Sequence, residues 1–94
     1  MERQAVERKL TEVHARLVKA RQELSILEEQ LGVFAETAEE ARLRALVSET
    51  PLADQEWHEA RRHEEAMLRS RESARQLVSQ LEREQDELLT RLVV

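Results

Sequence analysis

Twelve small or apolar residues follow one another along the first half of this chain at alternating steps of four and three. They are Val6, Leu10, Val13, Leu17, Ala20, Leu24, Leu27, Leu31, Phe34, Ala38, Ala41 and Ala45. The spacing averages 3.5 residues, the period at which a helix keeps one stripe turned toward a partner. An unbroken stripe of this length restricts the chain to long helices packed lengthwise. Composition agrees, because one Gly, one Pro, one Trp and one Phe among 94 residues leave little material for strands and turns. Charged residues make up 37% of the chain, which raises disorder as the competing reading. The regular apolar spacing argues against it, since disordered segments lack the apolar surface that offsets the entropy of ordering.

The expected fold is all-α, a single domain over residues 1–94. It consists of two long helices in an antiparallel coiled-coil hairpin, dimerising into a four-helix assembly. Helix 1 is predicted from about residue 3 to about residue 47, a rod of about 65 Å. The turn is predicted over about 48–50 and helix 2 over about 51–92. Thr50 is placed to cap helix 2, with Pro51 as its first residue, where a missing N–H costs nothing. Asp54 and Glu56 follow in the first turns, favourable for the helix dipole. One register sets Ala41 against Trp57, Ala38 against Ala60 and Leu17 against Leu81. Another sets Leu24 against Leu81 and Leu17 against Leu88. The first is preferred because it fits a helix beginning at Pro51.

Helix 2 answers the stripe less cleanly, with Trp57, Ala60, Glu64, Met67, Arg71, Ala74, Val78, Leu81, Gln85, Leu88 and Leu92. Long polar side chains at Glu64, Arg71 and Gln85 can lay their stems on apolar surface while their heads reach water. Leu68, Leu77 and Leu89 lie beside this seam, and Val18, Ile26 and Val33 lie off the seam of helix 1. These six are the candidate oligomer interface, a second seam for a homodimer or a partner helix. Gly32 sits beside that patch. Residues 22–41 carry six Glu and no Lys or Arg, whereas residues 61–75 are rich in Arg. Folding the chain at Thr50 lays these segments side by side, which disfavours other alignments.

Chemistry is sparse. The absence of Cys removes disulfides, thiolate metal sites and thiol nucleophiles. His14, His58 and His63 contain no pair spaced for a shared metal on one helical face. Glu59 and His63 read as an ordinary i,i+4 surface pair. The serines lack a Gly-rich elbow, and no phosphate-binding loop is present. No catalytic, cofactor-binding or metal-binding residue is assigned, and the expectation is a chain that is not an enzyme and carries no cofactor. A net charge of −5 with both signs interspersed argues against direct nucleic-acid binding. The apolar runs are too short for a membrane span, and the charged start from Glu2 lacks a signal-like core. The expected location is cytoplasmic.

The tip is the one region with a sharper reading. Glu49, Asp54 and Glu56 cluster around the turn beside Trp57, and these four are the candidate partner-binding residues. The stretch Glu56-Trp57-His58-Glu59-Ala60, after an acidic turn, resembles the coiled-coil tip of Gre-type transcript cleavage factors. In that family an acidic finger enters the secondary channel of RNA polymerase. Aligning Glu56-Trp57 puts the family's two acidic tip positions on Thr50 and Ala53. The resemblance therefore implies a polymerase-binding finger, with Glu49, Asp54 and Glu56 as nearby acids, rather than transcript cleavage. A second run, from Glu40 through Leu43, Ser48 and Pro51 to Asp54, resembles small uncharacterised actinobacterial helical-hairpin proteins, as does the ending Gln85-Asp86-Glu87-Leu88-Leu89. It implies a cytoplasmic hairpin without an activity. The leading expectation is a coiled-coil interaction or scaffold protein that self-associates and binds a protein partner. The alternative is a transcription-associated factor that binds RNA polymerase through its acidic tip.

Overall fold

The computed structural model describes residues 2–93. They form two helices and no strand: α1, Arg3–Ser48, and α2, Pro51–Val93. Each helix runs one residue past its expected end, a difference within the fraying of helix termini.

The junction shows why the break falls where it does. Glu49 has φ 52°, the left-handed region. Its N–H donates to the Ala45 carbonyl at 3.1 Å. This is the single-bond left-handed cap of a helix C-terminus, a position that most often holds Gly. The next residue, Thr50, immediately precedes α2. Its Oγ1 accepts a hydrogen bond from the Ala53 N–H at 3.2 Å. The Asp54 N–H then donates to the Thr50 carbonyl at 3.1 Å, the first backbone bond of α2. Two residues thus close one helix and open the next. Pro51, lacking an N–H, loses nothing at the first helical position.

Contacts gather into two compact units. The tip unit spans Ser25–Glu72 and includes the turn, and is a helical hairpin in itself. Its buried cluster is Ala38, Ala41 and Ala60, with Trp57 packed against it. The same four residues meet in the register preferred from sequence. Edge-on contact between Phe34 and His63, with ring centroids 6.1 Å apart, continues the pairing toward the far end of this unit.

The second unit joins α1 up to Leu24 with α2 from Ser73 onward. Its core is aliphatic: Val6, Val13, Leu17, Ala20, Val78, Leu81 and Leu88, with Leu10, Leu24 and Leu92 packed against it. Leu17 is fully enclosed, at 0% exposure. Arg21 reaches across to Glu82 at 3.4 Å, an interhelical ion pair within this unit. Arg61, from the arginine-rich stretch of α2, takes Glu65 one turn along its own helix.

Every one of the twelve seam residues of α1 is buried or half-buried, and so is every seam residue of α2 from Trp57 to Leu92. Glu64, Arg71 and Gln85 are half-buried, as expected of side chains whose stems pack while their heads reach out. The Nε of Arg71 is enclosed without a hydrogen-bond partner. The alternation of steps of four and three is thus the physical origin of both helix faces.

Candidate interaction surfaces

The tip unit carries an open groove of about 320 Å³ beside its alanine cluster. Small seam residues leave this space, because Ala41 and Ala60 fill little of the gap that a Leu would close. Val33, Phe34 and Thr37 line one wall, and His63 and Ala60 face them from α2. Arg44, Glu56 and Glu59 bring both charge signs to the rim. Glu59 and His63 lie one turn apart there, but the histidine ion pair among the described residues is His58 with Asp54, Nε2 to Oδ2 at 3.3 Å. In the second unit a depression of about 240 Å³ is bordered by Arg16, Lys19, Glu23 and Leu77. Neither depression encloses a ligand in the way a small-molecule site does.

The tip acids do not converge. Glu49 is exposed at the turn, in its left-handed conformation. Asp54 faces His58, whereas Glu56 borders the groove. Two residues apart on a helix means about 200° of rotation, so Asp54 and Glu56 leave α2 on nearly opposite sides. Trp57 is half-buried, its ring stacked on His58 at 5.3 Å and 18°. The Arg61 guanidinium lies 5.8 Å from the indole centroid, in cation–π range. Trp57 is therefore committed largely to the hairpin itself. These local contacts follow from i,i+4 spacings visible in the sequence, Asp54 with His58 and Trp57 with Arg61, which the reading of the tip as an acidic cluster passed over.

Exposed apolar residues are the more prominent feature. Ile26 is 53% exposed and Val33 64%. They lie one heptad apart on α1 and share one side of it. Leu68, in the same unit, is five residues beyond His63 on α2. That is about 140° around the helix from the groove wall, so Leu68 belongs to another side of the hairpin. In the second unit Leu77 borders the depression beside Lys19. Leu89 lies about 120° around α2 from Leu77, next to Asp86, Thr90 and Val93. Val18 is exposed as well. The six candidate interface residues are thus all on the surface, but only Ile26 and Val33 form a continuous stripe along one helix. At Gly32, beside them, an added Cβ would meet nothing within 4 Å, so no close backbone contact requires this glycine.

Electrostatics on these surfaces are mild. Arg42 grips Glu39 with two hydrogen bonds, 2.7 and 3.0 Å, one turn apart on α1. The Arg42 hydrogen bond holds the Glu39 carboxyl below its ordinary value, and Glu39 in turn raises the Arg42 guanidinium. Both groups are exposed, so this is a solvated pair rather than an acid–base site. Among the described residues no group of three or more His, Asp or Glu is placed to hold a metal ion. None of the helices is long and apolar enough to cross a membrane.

Compared with known protein families, curated proteins and solved structures, the chain shows no match to any of them.

Proposed function

We infer that this chain is a non-enzymatic coiled-coil interaction module that self-associates and offers its remaining faces to a protein partner. The observation that supports this reading most is the Ile26–Val33 stripe, two β-branched apolar residues more than half exposed on one side of α1. The seam residues of α1 are already buried or half-buried within the chain, whereas Ile26 and Val33 lie off that seam and are exposed. Covering it would remove apolar surface from water at about 25 cal/mol per Å². Open, shallow grooves and solvated charge pairs support an interaction role over a catalytic one. The acidic tip is the weaker basis for a partner site. Asp54 is paired with His58, and Asp54 and Glu56 leave the helix in opposed directions.

The test is a doubly substituted chain, Ile26→Glu with Val33→Glu. Association, followed by light scattering at micromolar concentration, is expected to be lost while helicity by circular dichroism stays near that of the native chain. Loss of helicity would place these residues in the hairpin core and overturn the reading.

A further inference from the structure

Within the tip unit, Ser25–Glu72, the outer side of α1 has a composition of its own. Ala38 and Ala41 are buried on the seam and Ala45 is half-buried. Leu43 is two residues from both Ala41 and Ala45, about 200° of rotation, and so stands nearly opposite them. Leu46, Val47, Glu40, Glu39 and Glu36 all fall within about 60° of Leu43 on the same helix. Positions this far from a seam ordinarily carry polar side chains. Here Leu43 is 49% exposed, Leu46 62% and Val47 86%. Spacings of three and four residues make them neighbours. They therefore form one apolar patch over the last turns of α1, unlike apolar residues scattered singly over a surface.

The charge beside that patch has one sign. Glu36, Glu39 and Glu40 precede it on the same side, and no Lys or Arg shares that side between residues 36 and 47. Arg42, on the flank, is paired with Glu39, and Arg44 borders the groove. Among the described residues neither Glu36 nor Glu40 is engaged in an ion pair. The surrounding unit is acidic as a whole. Residues 25–72 hold twelve Asp and Glu against six Arg, whereas the rest of the chain holds eight against nine Lys and Arg. A second copy brings the same anions to this side and no cation, so charge complementarity disfavours it here. The occupant that matches both features is apolar and cationic.

We propose that the outer side of α1 from Glu36 to Val47 docks an amphipathic, positively charged helical segment of another protein. Its apolar side chains cover Leu43, Leu46 and Val47, and its Lys or Arg residues meet Glu36 and Glu40. The acidic and apolar blocks of the patch are centred about seven residues apart, so the partner's cationic and apolar groups stand about 10 Å apart along its axis. The proposal rests on the reading of the chain as a module that binds a protein partner, and adds the place and the chemistry. The tip acids Glu49, Asp54 and Glu56 have no part in it.

The probe is a synthetic helical peptide of about four turns, with Lys at one end of one face and Leu at the other. Counterparts carry Glu for Lys, or Gln for Leu. Binding to the full chain is followed by fluorescence anisotropy at low salt. The Lys/Leu peptide is expected to bind, and both counterparts to bind about tenfold or more weakly. Leu46→Ser with Val47→Ser is expected to weaken binding of the Lys/Leu peptide by a similar factor, and Glu36→Gln with Glu40→Gln about fivefold. Glu56→Gln with Glu59→Gln removes the same charge from the groove side and is expected to change binding less than about twofold. Circular dichroism verifies that each variant keeps its helices. An equal loss in the groove variant reduces the effect to net charge and overturns the proposal. Undiminished binding after either patch substitution, equal binding of the Glu counterpart, or no binding of the Lys/Leu peptide overturns it as well. Sedimentation equilibrium separates it from self-association. The chain with Leu46→Ser and Val47→Ser is expected to associate as the native chain does, and loss of association there would put a second copy on this patch instead. A native chain that stays monomeric yet binds the peptide at this patch overturns self-association and leaves the proposal standing.

Discussion

Replacing Arg71 by Leu is expected to make this protein more stable. Arg71 occupies a seam position of α2 and is half-buried, with its Nε enclosed and without a hydrogen-bond partner. Leaving a buried donor unsatisfied costs about 1–3 kcal/mol. Leu removes that donor and keeps most of the apolar stem, in a seam built for aliphatic side chains. Part of the gain is offset because the guanidinium head now reaches water and its stem already covers apolar surface. The net expectation is a stabilisation of about 1–2 kcal/mol, equivalent to a rise of roughly 5–15 °C in Tm for a chain of this size. Urea unfolding followed by circular dichroism, with the m-value held constant, measures it. Arg71→Ala serves as the companion, since it removes the donor and the packing together and is expected to fall well short of Leu. If Arg71→Leu is neutral or destabilising, the guanidinium contributes a favourable interaction and the seam argument fails at that position. A polar seam residue kept against stability is a known device for fixing register in coiled coils. Arg71→Leu is accordingly also expected to broaden the oligomer distribution.

Leu17→Ala removes a fully enclosed side chain and is expected to cost about 2–5 kcal/mol, a large share of a marginal total, read from the urea midpoint. Glu49→Gly relieves the left-handed backbone at the end of α1. Its gain is partly cancelled by unfolded-state entropy, leaving a stabilisation of up to ~1 kcal/mol in the same assay. The Glu39 carboxyl is held below its ordinary value by Arg42, so its contribution to stability is present above that value and fades as pH falls through the lowered one. An NMR titration is expected to place Glu39 below the ordinary glutamate value, and Arg42→Gln is expected to return it toward that value.

Most of the fold is legible in the sequence because one physical variable, the period of apolar residues, decides it. Val6 through Ala45 and Trp57 through Leu92 are buried or half-buried as their spacing dictates, and Thr50 caps α2 as its side chain allows. The end of α1 is less legible. A left-handed cap usually announces itself with Gly, and here Glu49 takes that conformation instead. Surface pairing is harder still. A glutamate-rich and an arginine-rich segment lie on opposite helices, yet Arg61 of the latter binds Glu65 on its own helix. Long flexible side chains choose among several nearby partners of almost equal energy, which a one-dimensional charge pattern does not resolve. The tip illustrates the same point. Glu49, Asp54 and Glu56 are close in sequence, but helical rotation separates them. The candidate interface divides likewise into Ile26 and Val33, which share a side of α1, and leucines that do not join them.

Sedimentation equilibrium of the native chain, over a range from low to high micromolar concentration, tests the central claim most directly. A reversible, concentration-dependent dimer that weakens with Ile26→Glu is the expected result. A strict monomer across that range, with full helicity, would contradict the account.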